Sequence, residues 1–204
     1  MDRDQVWAAI DAERISLANF LDTLTPDQWL AASLCPGWTV RDVAAHLALS
    51  HIGPGAITVG FVRAGGSFNR MVRDVARRYR KSPKELAAEI RALAGSRRHV
   101  PGTSYLDPLV DVLVHGQDVA VPLGTIRPMP IDAAAAAADR VWTMGFPYRA
   151  RRRLRGLRFE AIDTGWARGE GAAVRGEIAA LLLLLTGRQA RAAELSGPGA
   201  AAIG

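Results

Sequence analysis

Between Pro108 and Pro122 lies a largely apolar run, Leu109 to Ala120, that carries Asp111 and His115 four residues apart and Asp118 three further on. Proline in the first turn and proline beyond the end bound a segment of helical length. On a helix the i, i+4, i+7 spacing sets the three polar groups on one stripe. In so apolar a helix, a carboxylate and an imidazole on the inward side need a reason to be there, because left without partners each costs several kcal/mol. Either these groups satisfy each other, or they hold something between them. Whatever packs around this helix has to allow one or the other.

The rest of the N-terminal three-quarters reads as helices to surround it. Val6, Ile10, Ile15, Leu17, Phe20 and Leu21 recur at helical spacing between charges over residues 4–24. Thr25-Pro-Asp-Gln28 carries a cap, a proline at the first position and Gln three on, the signature of a short helical start. Pro36-Gly-Trp-Thr-Val-Arg-Asp42 opens another, with Thr39 and Asp42 completing a capping box. Val43, His46, Leu47 and Ser50 then share a face, which turns His46 inward, whereas His51 falls about 140° away round the helix and cannot chelate with it. Gly53-Pro54-Gly55 breaks the helix, residues 56–80 read as a looser one with its arginines outside, and Ser82-Pro-Lys-Glu85 boxes the start of a helix to about Ala94. His99 sits in a loop and reads as a surface histidine. Asp107 is expected to cap the central helix, Gly124 to stop it, and Asp132 to Met144 to form the last long one. Four principal helices plus short pieces make a helix bundle.

After Pro147 the texture changes. Arg149 to Arg158 is basic, Leu157 to Ile162 alternates as a strand does, Trp166 to Gly169 reads as a second strand, and Glu177 to Leu185 as an apolar helix closed by Thr186-Gly187-Arg188. The expected organisation is a bundle over residues 1–146 followed by a small α+β domain over 147–204, with the tail from Ala192 unassigned.

Composition narrows the class. At 49% hydrophobic and 23% charged, the chain is that of a soluble globular protein able to bury a core. Its net charge of +6 and pI near 10.4 invite nucleic acid as a partner. The excess is nearly all arginine, with Lys81 and Lys84 the two lysines, the imprint of a GC-rich coding sequence rather than of a binding surface. The Arg149–Arg158 cluster also lacks the interleaved aromatics of a single-strand binder. A single cysteine, Cys35, excludes an internal disulfide and a cysteine-based zinc finger, and it reads as a small packing residue, as Trp38 does at its helix start. The polar, acidic N-terminus carries no secretory pattern, and the longest apolar run, Ile178 to Leu185, is too short to span a bilayer, so a cytoplasmic protein is expected.

Facing helices of a bundle are the usual scaffold for a metal site. His46 from one helix with Asp111 and His115 from another would supply three protein ligands and leave positions open, the catalytic arrangement for zinc, with nickel or ferrous iron also suited. Spacing alone leaves the bland alternative, a satisfied core histidine and an Asp–His pair, in place.

Leu30 to Leu49, with its Cys-Pro-Gly-Trp-Thr-Val-Arg-Asp-Val-Ala-Ala-His-Leu, resembles the N-terminal signature of the mycothiol-dependent maleylpyruvate isomerase family, a branch of the DinB-like four-helix bundles. Asp107 to Gly124 resembles a second signature, with Asp111 three residues before Val-His-Gly-Gln-Asp-Val-Ala. Trp166 to Arg188, with Trp-Ala-Arg-Gly-Glu-Gly, Val-Arg-Gly and a leucine-rich helix ending Leu-Thr-Gly-Arg, is similar to that family's small C-terminal domain. The resemblance implies a divalent metal, usually zinc, on His46, Asp111 and His115, where the enzymatic members have Glu at the position of Asp111. It implies Asp118 as a partner that holds a ligand in place, and mycothiol as the thiol cosubstrate. Arg188 is the implied catalytic arginine, and Arg188 and Arg175 are the implied binders of thiol or substrate carboxylates. The expected activity is a metal-dependent, mycothiol-using isomerase or thiol transferase acting on a small electrophile. The shortness of the appendage implies a substrate other than maleylpyruvate. The alternative is a non-enzymatic metal-binding bundle with a binding or stress-response role. Monomer and homodimer are both open.

Overall fold

The computed structural model describes residues 1–49, 74–99 and 102–203. The expectations for Ser50, His51, the Gly53-Pro54-Gly55 break and most of the helix over 56–80 lie outside the described residues. The chain divides into two compact units, 2–127 and 128–204.

In the N-terminal unit α1 spans Arg3–Asp22, α2 Pro26–Leu30, α3 Val40–Ala48, α4 Pro83–Ala92 and α5 Asp107–Ala120, with residues 74–78 also helical. α1 packs on α4 and α5, and α3 packs on the same two, which closes a four-helix bundle. The starts are set locally: Thr25, Thr39 and Ser82 each accept from the backbone three residues on while Gln28, Asp42 and Glu85 reach back, so all three expected capping boxes form. A fourth, Asp2 with Gln5, begins α1. Asp107 does not cap α5. It is the first helical residue, and its carboxylate instead accepts from Ser104 N at 3.0 Å, while Leu109 N and Val110 N, the donors a cap at Asp107 would take, donate to the Leu106 carbonyl. α5 tightens into a 3-10 turn over Val121–Leu123 and ends at Gly124, whose φ of 65° is the left-handed stop expected. Leu17, Leu21, Val43, Leu86, Ile90 and Val112 are among the buried side chains that fill the bundle.

An arginine–glutamate ion pair is buried inside this unit. Arg127 Nη2 stands 2.7 Å from Glu13 Oε2, both side chains less than a tenth exposed, while Gln117 Nε2 donates to the Arg127 carbonyl at 2.6 Å. Gly116 makes the room: a Cβ there would meet Arg127 Nη1 at 2.9 Å. Nε and Nη1 of Arg127 find no hydrogen-bond partner among the described residues, so the pair is only partly satisfied.

In the C-terminal unit α6 spans Ile131–Thr143, α7 Ala150–Arg153, β1 Leu157–Ala161, β2 Ala167–Gly169, β3 Ala172–Gly176 and α8 Ile178–Leu185. The alanine face of α6, Ala134, Ala137 and Ala138, is fully buried, and its small side chains let the leucines of α8 approach closely. The last long helix of the sequence thus packs with the sheet-bearing unit, and the division falls at Arg127/Pro128. The sheet order is β2-β1-β3, with β2 antiparallel and β3 parallel to β1. β3 escaped the sequence reading, since its partner is fifteen residues back and its residues are small. To reach both sides of β1, the chain wraps beneath the start of that strand through Gly169 and Gly171, with φ of 86° and 116°. A Cβ on Gly171 would lie 2.1 Å from the Gly156 carbonyl oxygen. Gly171→Ala is therefore expected to cost at least about 1–3 kcal/mol from the backbone conformation alone, read as a lower urea midpoint; an unchanged midpoint would contradict this topology.

Two arginines of the basic stretch are engaged inside their own unit. Arg153 Nη2 caps α8 through the Leu184 and Leu185 carbonyls at 2.9 and 3.0 Å, and Arg158 Nε pairs with Glu160 at 2.7 Å. No helix of the described residues is long and apolar enough to cross a membrane.

Candidate metal centre

The loop ahead of α3 is a clamped turn. Ala32 bridges Thr39, Ser33 N donates to the Trp38 carbonyl at 2.9 Å, and Trp38 N returns a bond to Cys35 O at 3.0 Å, with Gly37 at a φ of 76° turning the corner. The turn is pinned to α5, because Leu34 N donates to the Asp118 carbonyl at 3.1 Å. Trp38 then meets the His46 ring edge-on at 5.8 Å between centroids, and His46 meets His115 edge-on at 4.8 Å. The inward turn expected of His46 is what these contacts require, and Trp38 packs as expected.

His46, Asp111 and His115 are thereby brought together: one ligand atom from each lies within 4.8 Å of the others. His115 and Asp118 are buried, Asp118 completely, while His46 and Asp111 are half-buried. Ligands of a tetrahedral zinc stand about 3.5 Å apart, so small side-chain shifts would close this set on an ion. Two imidazoles and one carboxylate from two helices also fit the chemistry of such an ion, and leave coordination positions open. His115 Nδ1 is bonded to Asp118 Oδ2 at 2.7 Å. That bond sets the tautomer and makes Nε2 the nitrogen a metal would use. Asp118 thus holds the His115 ring in place.

Asp111 also lines a cavity of about 160 Å³, together with Arg14, Arg98, His99, Asp107 and Val112. His99 is therefore not a plain surface residue. It is half-buried, its ring faces Trp7 at 6.5 Å, and its Nδ1 lies 3.4 Å from Thr103 Oγ1. Nothing local in the sequence marks it, since the cavity is made by α1, α4 and α5 meeting. Burial draws the Arg14 guanidinium below its ordinary value, with Asp11 and Asp111 opposing, and its Nη1 donates to the Leu93 and Ser96 carbonyls at 2.8 and 3.2 Å. Cys35 is likewise more than a packing residue: its Sγ donates to Asp118 Oδ2 at 3.1 Å and lies 3.9 Å from His115 Nδ1.

Arg175 and Arg188 are carried by the C-terminal unit. Arg175 Nε bonds Glu160 at 2.8 Å across the sheet, and Arg188 Nη1 donates to the Thr186 carbonyl at 2.8 Å where α8 ends.

Desolvation works against a charged His115, but the hydrogen bond and charge of Asp118, with Cys35 adding to them, prevail and raise it from 6.5 to about 10. A folded-state value above the unfolded one stabilises most when the group is protonated in both states. The pair's contribution to the metal-free protein is therefore full below about pH 6.5 and is lost as pH rises through about 10. Melting temperatures after chelation are expected to fall over that window in the wild type and to stay flatter in Asp118→Asn. Equal pH trends in the two would refute the assignment.

Residues 10–100 match the family model described as mycothiol maleylpyruvate isomerase N-terminal domain. The matched segment contains Cys35, Trp38 and His46, whereas Asp111 and His115 lie beyond it. A crystal structure of the mycothiol-dependent maleylpyruvate isomerase is similar over 97% of this chain and 93% of that one, with a TM-score of 0.61 and 14% identity. A histidine-to-alanine mutant of that enzyme is similar over the same shares, with a TM-score of 0.60 and 12% identity. At such identity the likeness is one of fold. No curated protein matches the chain significantly.

Proposed function

Residues 10–100 belong to the mycothiol maleylpyruvate isomerase N-terminal domain family, and on that premise we propose that the chain is a metal-dependent, mycothiol-using isomerase or thiol transferase of the cytoplasm, acting on a small electrophile. The observation that carries this reading is the convergence of His46, Asp111 and His115 from α3 and α5 beside a small cavity.

A divalent metal, zinc first among the candidates, supplies a positive centre that holds the cosubstrate thiol as thiolate, the nucleophilic form. The protein's own part is placement. Asp118 fixes the His115 tautomer, Trp38 backs His46, and the clamped turn keeps both helices in register. Asp111 faces the ligand set and the cavity at once, and Arg14, Arg98 and Asp107 make the rest of that lining polar enough for a small polar substrate. Where the resemblance places Glu, Asp111 is one methylene shorter, so it would hold an ion nearer the helix, through water, or more weakly. In the C-terminal unit we assign carboxylate binding to Arg188, while Arg175 already spends its guanidinium on Glu160.

A metal-free bundle is the second reading, favoured by one observation: Cys35, Asp118 and His115 already satisfy one another. Metal analysis separates the two. The purified chain is expected to carry about one zinc, to melt higher with it, and to be stabilised saturably by mycothiol. Asp118→Asn is expected to weaken metal binding by about ten- to a hundredfold. Protein that holds no metal and whose melting point ignores added zinc would leave the metal-free bundle standing.

A further inference from the structure

The His115 imidazole has a second face, which the reading above uses only for a hydrogen bond. On the Nδ1 side stand Asp118 Oδ2 at 2.7 Å and Cys35 Sγ at 3.9 Å, themselves 3.1 Å apart. These three donors form a ligand grouping of their own, distinct from that of His46, Asp111 and His115. Ligand atoms around a tetrahedral zinc are about 3.3–3.7 Å apart. The two distances from sulfur straddle that range, so an ion needs the Cys35–Asp118 contact to lengthen and the Cys35–His115 one to shorten by a few tenths of an ångström, and the His115–Asp118 bond to open. The scaffold is rigid, since Asp118 is fully buried and the turn that delivers Cys35 is tied to α5 through Leu34. Cys35 itself is only half-buried, which leaves an ion a way in.

We propose that Cys35, His115 and Asp118 form a second metal site, selective for thiophilic divalent cations such as cadmium, cobalt or zinc. On binding, the thiol proton of Cys35 passes to solvent, the His115 imidazolium loses its Nδ1 proton to solvent and keeps the one on Nε2, and the sulfur and Nδ1 lone pairs become ligands. No oxidation state changes. A neutral imidazole has a single ring lone pair to give, so an ion on Nδ1 leaves Nε2 protonated and closed to the His46 side. The two sites therefore exclude each other. That exclusion rests on the function proposed above, whereas the second site does not.

The test uses the chelator-treated full chain. Cys35 is the only cysteine, so thiolate-to-metal charge-transfer absorption reports this site alone. Titration with cadmium or cobalt is expected to raise that band, saturating at one equivalent per chain and independent of protein concentration. His46→Ala should keep the band and Cys35→Ser should lose it while still binding zinc. Metal uptake by the wild type without a band overturns the second site and leaves the first intact. A band without zinc binding in Cys35→Ser supports the second site and removes the first. A second equivalent of metal bound alongside a full band overturns the exclusion. Should Cys35→Ser lose its helical circular dichroism, the comparison of wild type with His46→Ala still decides.

Discussion

Replacing His115 by alanine is expected to abolish metal binding and, in addition, to lower the stability of the metal-free protein by about 3–5 kcal/mol. The two losses have one cause. His115 is the member shared by both ligand groupings and the ion-pair partner of a carboxylate with no exposure of its own. Without the imidazole, Asp118 keeps Cys35 as a side-chain donor but loses the charge paired with it in the interior. His46→Ala separates the effects. It removes a proposed ligand of the His46, Asp111 and His115 grouping alone, from a half-buried position, so that site is expected to be lost while the Cys35 grouping is kept, for a stability change of about 1 kcal/mol. Metal content by elemental analysis and urea unfolding of chelated samples measure both quantities. Stoichiometric zinc in His115→Ala, or equal destabilisation by the two variants, would break the link drawn between the ligand and its buried partner.

The second large effect lies away from the site. Glu13→Leu alone should destabilise by about 3–5 kcal/mol, because it strands the Arg127 guanidinium inside the bundle against Gly116. Adding Arg127→Met should recover most of that loss: the double variant is expected to unfold near the wild-type midpoint. The reason is that the native pair is incompletely satisfied, with two of the arginine nitrogens lacking hydrogen bonds, so an apolar replacement of similar volume forfeits little. A double variant no better than the single would show that Arg127 contributes through its aliphatic packing or its Nη2 bond to the Glu13 carbonyl rather than as the mate of the Glu13 carboxylate.

Much of the fold and part of the site were legible in the sequence, and the division between the two follows range along the chain. Caps are short-range: Thr25, Thr39 and Ser82 announce their helices because the partners sit three residues on. The Asp111, His115, Asp118 stripe is equally local, since helical spacing alone puts those side chains on one face. The inward turn of His46 came from periodicity too, and its motif setting pointed to the family whose N-terminal domain the chain matches.

What only the tertiary structure decided is which stripes meet. That α3 packs on α5, so that two histidine rings stand 4.8 Å apart, depends on four helices closing a core together. Cys35 looked like filler because its partner, Asp118, lies more than eighty residues away and is reached only through the pinned turn. His99 joined the cavity, Arg127 found Glu13, and β3 found β1 for the same reason: contacts between distant segments are set by packing, which leaves little trace in local spacing or propensity. Sequence determined the ligand-bearing surfaces of the helices. Packing decided that they share one imidazole.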